Sequence, residues 1–214
     1  SMESTKQSEL SLPEYLYLLN LGKEDKIYHP YYILSLLLEL AYNDIFTLKP
    51  KTTWLLKEKQ VIVLTNPKSV SENSVLELML DRLKNQKHDH SVQQWADHWI
   101  GNTWKELLFP QHPIQTLRNT IAARLEQLNL IKDQQITENG TKELESFKQT
   151  ALENAKTSQG KFLLLLVLHP SFAHFVQNDL SISAEDIQKS PSFNDTTKEV
   201  LKEIQAYVAT LKQV

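Results

Sequence analysis

Leu34-Ser35-Leu36-Leu37-Leu38-Glu39-Leu40-Ala41 and, far downstream, Phe162-Leu163-Leu164-Leu165-Leu166-Val167-Leu168 are the stretches that decide the architecture. Wound as helices, both are apolar on nearly every face. A surface helix needs a polar stripe, so helices like these belong in the middle of a bundle. We expect them to be the two most buried helices of the chain. Pro30 fits the first helical position before the earlier run, and Pro170 breaks the later one after Gly160 precedes it.

Working outward, amphipathic segments supply the shell. Ser11-Leu12-Pro13-Glu14 reads as a capping box opening a helix that Gly22 ends, with Leu16, Leu18 and Leu19 on its apolar face. Ser69 to Glu72 reads as a second box, ahead of Leu76, Met79, Leu80 and Leu83. Apolar positions 92, 95, 96 and 99 mark a helix stopped by Gly101, and Pro113 opens one carrying Ile114, Leu117, Ile121, Leu125 and Leu128. Residues 141–157 form a polar helix, and Thr196-x-x-Glu199 caps a last one with Val200, Ile204, Val208 and Leu211 on one side. Two β-like pieces, Ile45–Leu48 and Gln60–Leu64, flank a lysine-rich stretch and predict a hairpin. Asn139-Gly140 is a turn signal that would close a second, small polar hairpin after Ile131. The expectation is a mainly α fold, a central bundle surrounded by amphipathic helices with one or two small β-hairpins. Residues 1–9 read as a disordered tail or an expression scar, and 10–214 as a single domain.

Composition agrees. Of 214 residues, 41% are hydrophobic and 23% charged, enough for a sizeable core. Only four glycines are present, too few for a sandwich built on many tight turns. The formal charge of -3 gives no global footprint for nucleic acid, so no nucleic-acid partner is expected. The absence of cysteine excludes thiolate catalysis, disulfides and iron–sulfur clusters, and fits a reducing cytoplasm. The start of the chain lacks a signal-peptide pattern, and Phe162–Leu168 falls far short of the ~20 apolar residues needed to span a bilayer.

Catalytic signatures are missing. Glycines at 22, 101, 140 and 160 allow no phosphate-cradling loop, and there is no nucleophile elbow or paired-histidine helix motif. His88, Asp89, His90, Asp97 and His98 carry metal-ligating groups, but alternate residues of a polar loop rarely converge, and we expect no metal there. His169 and His174 flank an apolar segment and read as core or helix-end histidines. The chain reads as a binding protein without cofactor, not an enzyme. Two features carry that reading. Lys49, Lys51, Lys57 and Lys59 surround Trp54 in the hairpin with only Glu58 opposing, a candidate contact with an acidic membrane surface or, more blandly, a solvated hairpin face. Gln115, Arg118 and Ala122 form a ridge beside an apolar stripe, where an arginine can grip a phosphate in bidentate fashion or simply make a surface salt bridge.

An ordered set of motifs resembles the Golgi phosphoprotein 3 family. These are the helix ending in Leu21-Gly22, Leu37-Leu38-Glu39-Leu40-Ala41, Val92-Gln93-x-Trp95, Gly101-x-Thr103-Trp104, Leu117-Arg118 with Leu125, and the run Leu164–Leu168. The resemblance covers about residues 10–180. It implies a mostly helical, non-enzymatic, peripheral membrane protein on the cytosolic face, one that binds phosphatidylinositol 4-phosphate and short cytosolic protein tails. Of the headgroup-binding residues, the second arginine of a later pair corresponds to Arg118 and the first to Gln115, while an earlier arginine falls near Ile33. The tryptophan-bearing loop is shortened, leaving Tyr28, Tyr31 and Tyr32 as the nearest aromatics, with Lys26 close by in sequence. The family's apolar membrane hairpin is replaced by Lys132-Asp133-Gln134-Gln135, and its basic amino-terminal arm is absent. These departures favour an altered anionic-headgroup site formed by Arg118, Gln115, Tyr28, Tyr31 and Lys26.

The competing reading is a winged-helix nucleic-acid-binding protein. It rests on the order helix, Leu130-Ile131, hairpin and Thr137-Glu138-Asn139-Gly140 leading into a helix, with Arg118 and Arg124 as its phosphate contacts.

Overall fold

The computed structural model describes residues 9–21, 29–66, 72–100, 113–168 and 182–211. Among them the chain is mainly helical: α1 (Leu12–Asn20), α2 (His29–Tyr42), α3 (Ser74–Lys84), α4 (Val92–Ile100), α5 (Pro113–Gln127), α6 (Glu138–Thr157), α7 (Leu163–Leu168), α8 (Ala184–Gln188) and α9 (Asp195–Leu211). Two antiparallel hairpins complete it, β1 (Phe46–Thr52) with β2 (Glu58–Leu64) and β3 (Ile131–Lys132) with β4 (Gln135–Ile136).

The leucine run of α2 occupies the centre, as its all-round apolarity requires. Leu34 to Ala41 are buried without a break, and α1, α3, α4, α5, α7 and α9 all pack on this helix. In α7 only Val167 is less than buried. Two polar side chains ride inside α2. Ser35 donates its hydroxyl to the Tyr32 carbonyl at 3.0 Å, and Glu39 pairs with Lys161 at 2.9 Å. A buried neutral donor or acceptor without such a partner costs about 1–3 kcal/mol, and a charged one more.

Several boundaries differ from those the sequence suggests, each for a local reason. Asn139-Gly140 does not close the second hairpin. That turn is Asp133-Gln134, both at positive φ, while Asn139 and Gly140 lie in the first turn of α6 behind the N-cap Thr137, whose hydroxyl accepts from the Gly140 amide at 3.0 Å. Gly140 is needed for space, since a Cβ there would stand 2.1 Å from the Leu130 carbonyl oxygen. The cap of α9 is Asn194, which accepts from the Thr197 amide at 2.7 Å, so Thr196 is helical. Helix α3 is capped by Asn73, accepting from Val75 and Leu76, and Ser69 lies outside the described residues. Strands β1 and β2 run further than expected, through the lysines, their antiparallel pairing continuing as far as Thr52 opposite Glu58.

Between α1 and α5 is a buried ionic cluster. The Glu14 carboxylate, fully buried in α1, accepts from the Ser11 amide and hydroxyl, from Asn73 Nδ2 at 2.8 Å and from Arg124 of α5. Arg124 also reaches the Glu9 carbonyl, and Glu9 lies 4.0 Å from Lys161, the partner of Glu39. Burial raises the Glu39 carboxyl above its ordinary range, and Lys161 offsets only part of this. Beside the cluster Tyr15 stacks on Phe147 at 4.4 Å and donates to Glu143, and burial together with that carboxylate raises its phenol. The sequence announces only the Ser11–Glu14 capping box of this cluster; its ion pair joins residues 110 positions apart.

Candidate functional site

The β1–β2 hairpin carries the most unusual surface. Its register pairs Lys49 with Val61 and Lys51 with Lys59, and the Thr53 amide bonds the Lys57 carbonyl at 2.8 Å. Residues directly opposite in an antiparallel pair share a face, and alternate residues along a strand do so too. Lys49, Lys51, Lys57 and Lys59 therefore all project from one face of the hairpin. Glu58 belongs to the other. Lys51 and Lys59 stand directly across from each other, an arrangement that destabilises a hairpin in isolation. The relief is slight: Lys51 lies 3.7 Å from Asp89, both half-exposed, and Lys59 donates to the Gln94 side chain at 3.0 Å. The base is held firmly, by the Ile62 amide on the His90 carbonyl at 2.9 Å and by the Thr47 and Thr196 hydroxyls at 3.2 Å.

At the tip, Trp54, Leu55 and Leu56 form a three-residue loop closed by the Leu56 amide on the Thr53 carbonyl at 2.9 Å. They are 89%, 56% and 88% exposed. Trp54 was legible as the aromatic among lysines. For Leu55 and Leu56 the sequence signal is the Trp-Leu-Leu run itself, apolar at a hairpin turn.

The histidine cluster next to the hairpin does not assemble a metal site. His90 and His98 each pack edge-on with Trp95, at ring centroids 5.6 and 6.3 Å, Asp97 accepts from the Tyr207 hydroxyl at 3.0 Å, and Asp89 faces Lys51. Among the described residues no three histidine or carboxylate groups converge as metal ligands would. Burial first, then Lys59, His98 and His88, lower the His90 imidazole below its usual value.

Arg118 on α5 is partly buried, its guanidinium carbon 6.0 Å from the centre of the Tyr32 ring of α2, within cation–π range. The aromatic under Arg118 is thus Tyr32, and both Tyr32 and Tyr31 are buried. Gln115 is exposed and donates to Asn119 one turn on, at 3.1 Å. Ile33 is fully buried in the core, which explains an apolar residue there. Tyr28 and Lys26 lie outside the described residues, as do His169 and His174. Arg124, the other arginine on this helix, is committed to Glu14.

Among the described residues no helix is long and apolar enough to cross a membrane. No family model matches the chain, and no curated protein matches it significantly.

Proposed function

We propose that this chain is a non-catalytic helical module that associates with anionic membrane surfaces, with the lysine face of the β1–β2 hairpin as the contact. The observation that carries the reading is the register, which places four lysines on one face and sets Lys51 against Lys59. Like charges in that position favour an external polyanion, because neutralising both relieves a repulsion that the fold itself leaves standing. Each lysine near an anionic leaflet contributes about 1 kcal/mol. Four lysines against Asp89 correspond to about 3 kcal/mol, on the order of 100-fold enrichment at the surface. The resemblance to the Golgi phosphoprotein 3 family supports the same class of ligand. Arg118, with its guanidinium over Tyr32, is the candidate for a direct phosphate contact, phosphatidylinositol 4-phosphate being the headgroup that the resemblance suggests. The nucleic-acid reading is weaker, since Arg124 is buried and paired with Glu14.

Vesicle sedimentation tests the proposal. Binding to phosphatidylcholine–phosphatidylserine vesicles should exceed binding to phosphatidylcholine alone, and should weaken as salt rises. It should fall on the order of 10-fold or more in Lys51→Gln/Lys59→Gln, two charges at about 1 kcal/mol each. Equal binding to neutral and acidic vesicles, or an unaffected double variant, refutes it. Arg118→Ala should lower the preference for phosphatidylinositol 4-phosphate over phosphatidylserine if that headgroup is read specifically.

A further inference from the structure

We infer that the Trp54-Leu55-Leu56 tip is a wedge that enters the bilayer interface while the lysines behind it rest among the headgroups. This deepens the membrane reading and rests on it, but it concerns different residues and a different force. Among the described residues the large exposed apolar side chains are these three and Ile136, and the three of the tip are consecutive. None of the described residues covers them. Leu56 makes the choice of residue more pointed, because it holds φ at +60°. In a three-residue hairpin loop that last position is left-handed and ordinarily taken by glycine. A leucine there is strained and 88% exposed, so the fold gains nothing from its side chain. Strain retained at an exposed apolar residue points to a use outside the molecule.

The occupant follows from the surroundings of the tip. A protein groove would be filled by an apolar knob alone. Here the knob is followed at once by Lys57, then by Lys51 and Lys59, all on one face. At ~3.3 Å per residue, Lys51 lies about 10 Å behind Trp54 along the strand. Apolar faces of interfacial elements are buried about 5–10 Å into the boundary between headgroups and acyl chains. A tip at that depth places the lysines level with the phosphates, and tryptophan is a residue favoured at that interface. The occupant is therefore an anionic lipid bilayer. The apolar term is not screened by salt, so part of the binding should survive salt that releases purely electrostatic adsorption.

The test uses the full chain with phosphatidylcholine–phosphatidylserine vesicles, with and without brominated acyl chains as a fluorescence quencher. Bromolipid should quench the wild type, and the quenching lost in Trp54→Phe is that of Trp54, because Trp95, Trp99 and Trp104 are common to both proteins. Leu55→Ser/Leu56→Ser should bind on the order of 100-fold more weakly, two leucines losing an apolar environment, and salt should release a larger share of what remains than it does for the wild type. Leu56→Gly separates a membrane role from a folding role, since it should raise the melting temperature by relieving the left-handed leucine while weakening vesicle binding. Vesicle-bound protein with no quenching assignable to Trp54, or a serine variant that binds as the wild type does, overturns the wedge and leaves the electrostatic reading standing. A wild type that never sediments with anionic vesicles overturns both. A tip captured by a protein, with the chain indifferent to vesicles, does the same.

Discussion

Arg124→Ala is the substitution whose consequence the structure specifies most closely. Its guanidinium is the cationic partner of Glu14, whose carboxylate is wholly buried and receives its other hydrogen bonds from Ser11 and Asn73. Removing the arginine leaves an anion in the interior with neutral donors on one oxygen. Loss of one partner of a buried pair costs about 3–5 kcal/mol. For a chain of this size a kilocalorie shifts the melting temperature by about 2–4 °C, so the variant should melt roughly 6–20 °C lower. The double variant Glu14→Gln/Arg124→Met supplies the control. It removes both charges, keeps an acceptor for Ser11 and Asn73, and replaces the arginine stem with apolar volume. Buried pairs replaced in this way are often near neutral in stability. The double variant should therefore be more stable than Arg124→Ala, and a cycle with Glu14→Gln and Arg124→Met as its single variants should show a coupling on the order of 1–3 kcal/mol. Thermal and urea denaturation of the purified variants measure this. A loss under about 1 kcal/mol for Arg124→Ala, or strictly additive effects, refutes the reasoning.

Two further outcomes follow from individual side chains. Glu39 has a carboxyl raised above 4.5 by burial, so its contribution to stability is fully present below that value and is lost as pH rises through the raised one. The stability of the wild type relative to Glu39→Gln should accordingly fall as pH increases from about 4.5, seen as converging or crossing melting curves; a pH-independent difference would count against it. Gly140→Ala should destabilise by about 1–3 kcal/mol despite alanine's better helix propensity, because the new Cβ would meet the Leu130 carbonyl oxygen at 2.1 Å and Ile136 at 2.7 Å. A variant as stable as the wild type in urea titration would show that the β3–β4 hairpin yields at little cost.

Much of this molecule is written in local patterns. An all-round apolar helix has no stable place except the interior, so the centrality of α2 and the burial of α7 were determined by composition at helical spacing. Ser11 and Glu14 announced the start of α1 because a capping residue acts on amides only two or three positions away. The misjudged boundaries are those where one local signal serves two structures. Asn-Gly favours a tight turn, yet here the glycine sits in α6 because the Leu130 carbonyl comes too close for any Cβ. Thr196 could cap a helix, and so could Asn194 two residues earlier. The candidate site divides in the same way. Lysines around Trp54 were visible in the sequence, but their common face depends on pairing register, and Lys51 meets Lys59 only because β1 and β2 align them. The same holds for the charges inside. In the sequence Glu14 is half of a capping box and Arg124 a candidate phosphate contact of the winged-helix reading. Their pairing across 110 residues arises because the tertiary fold removes both from water, and an unpaired charge there could not be sustained.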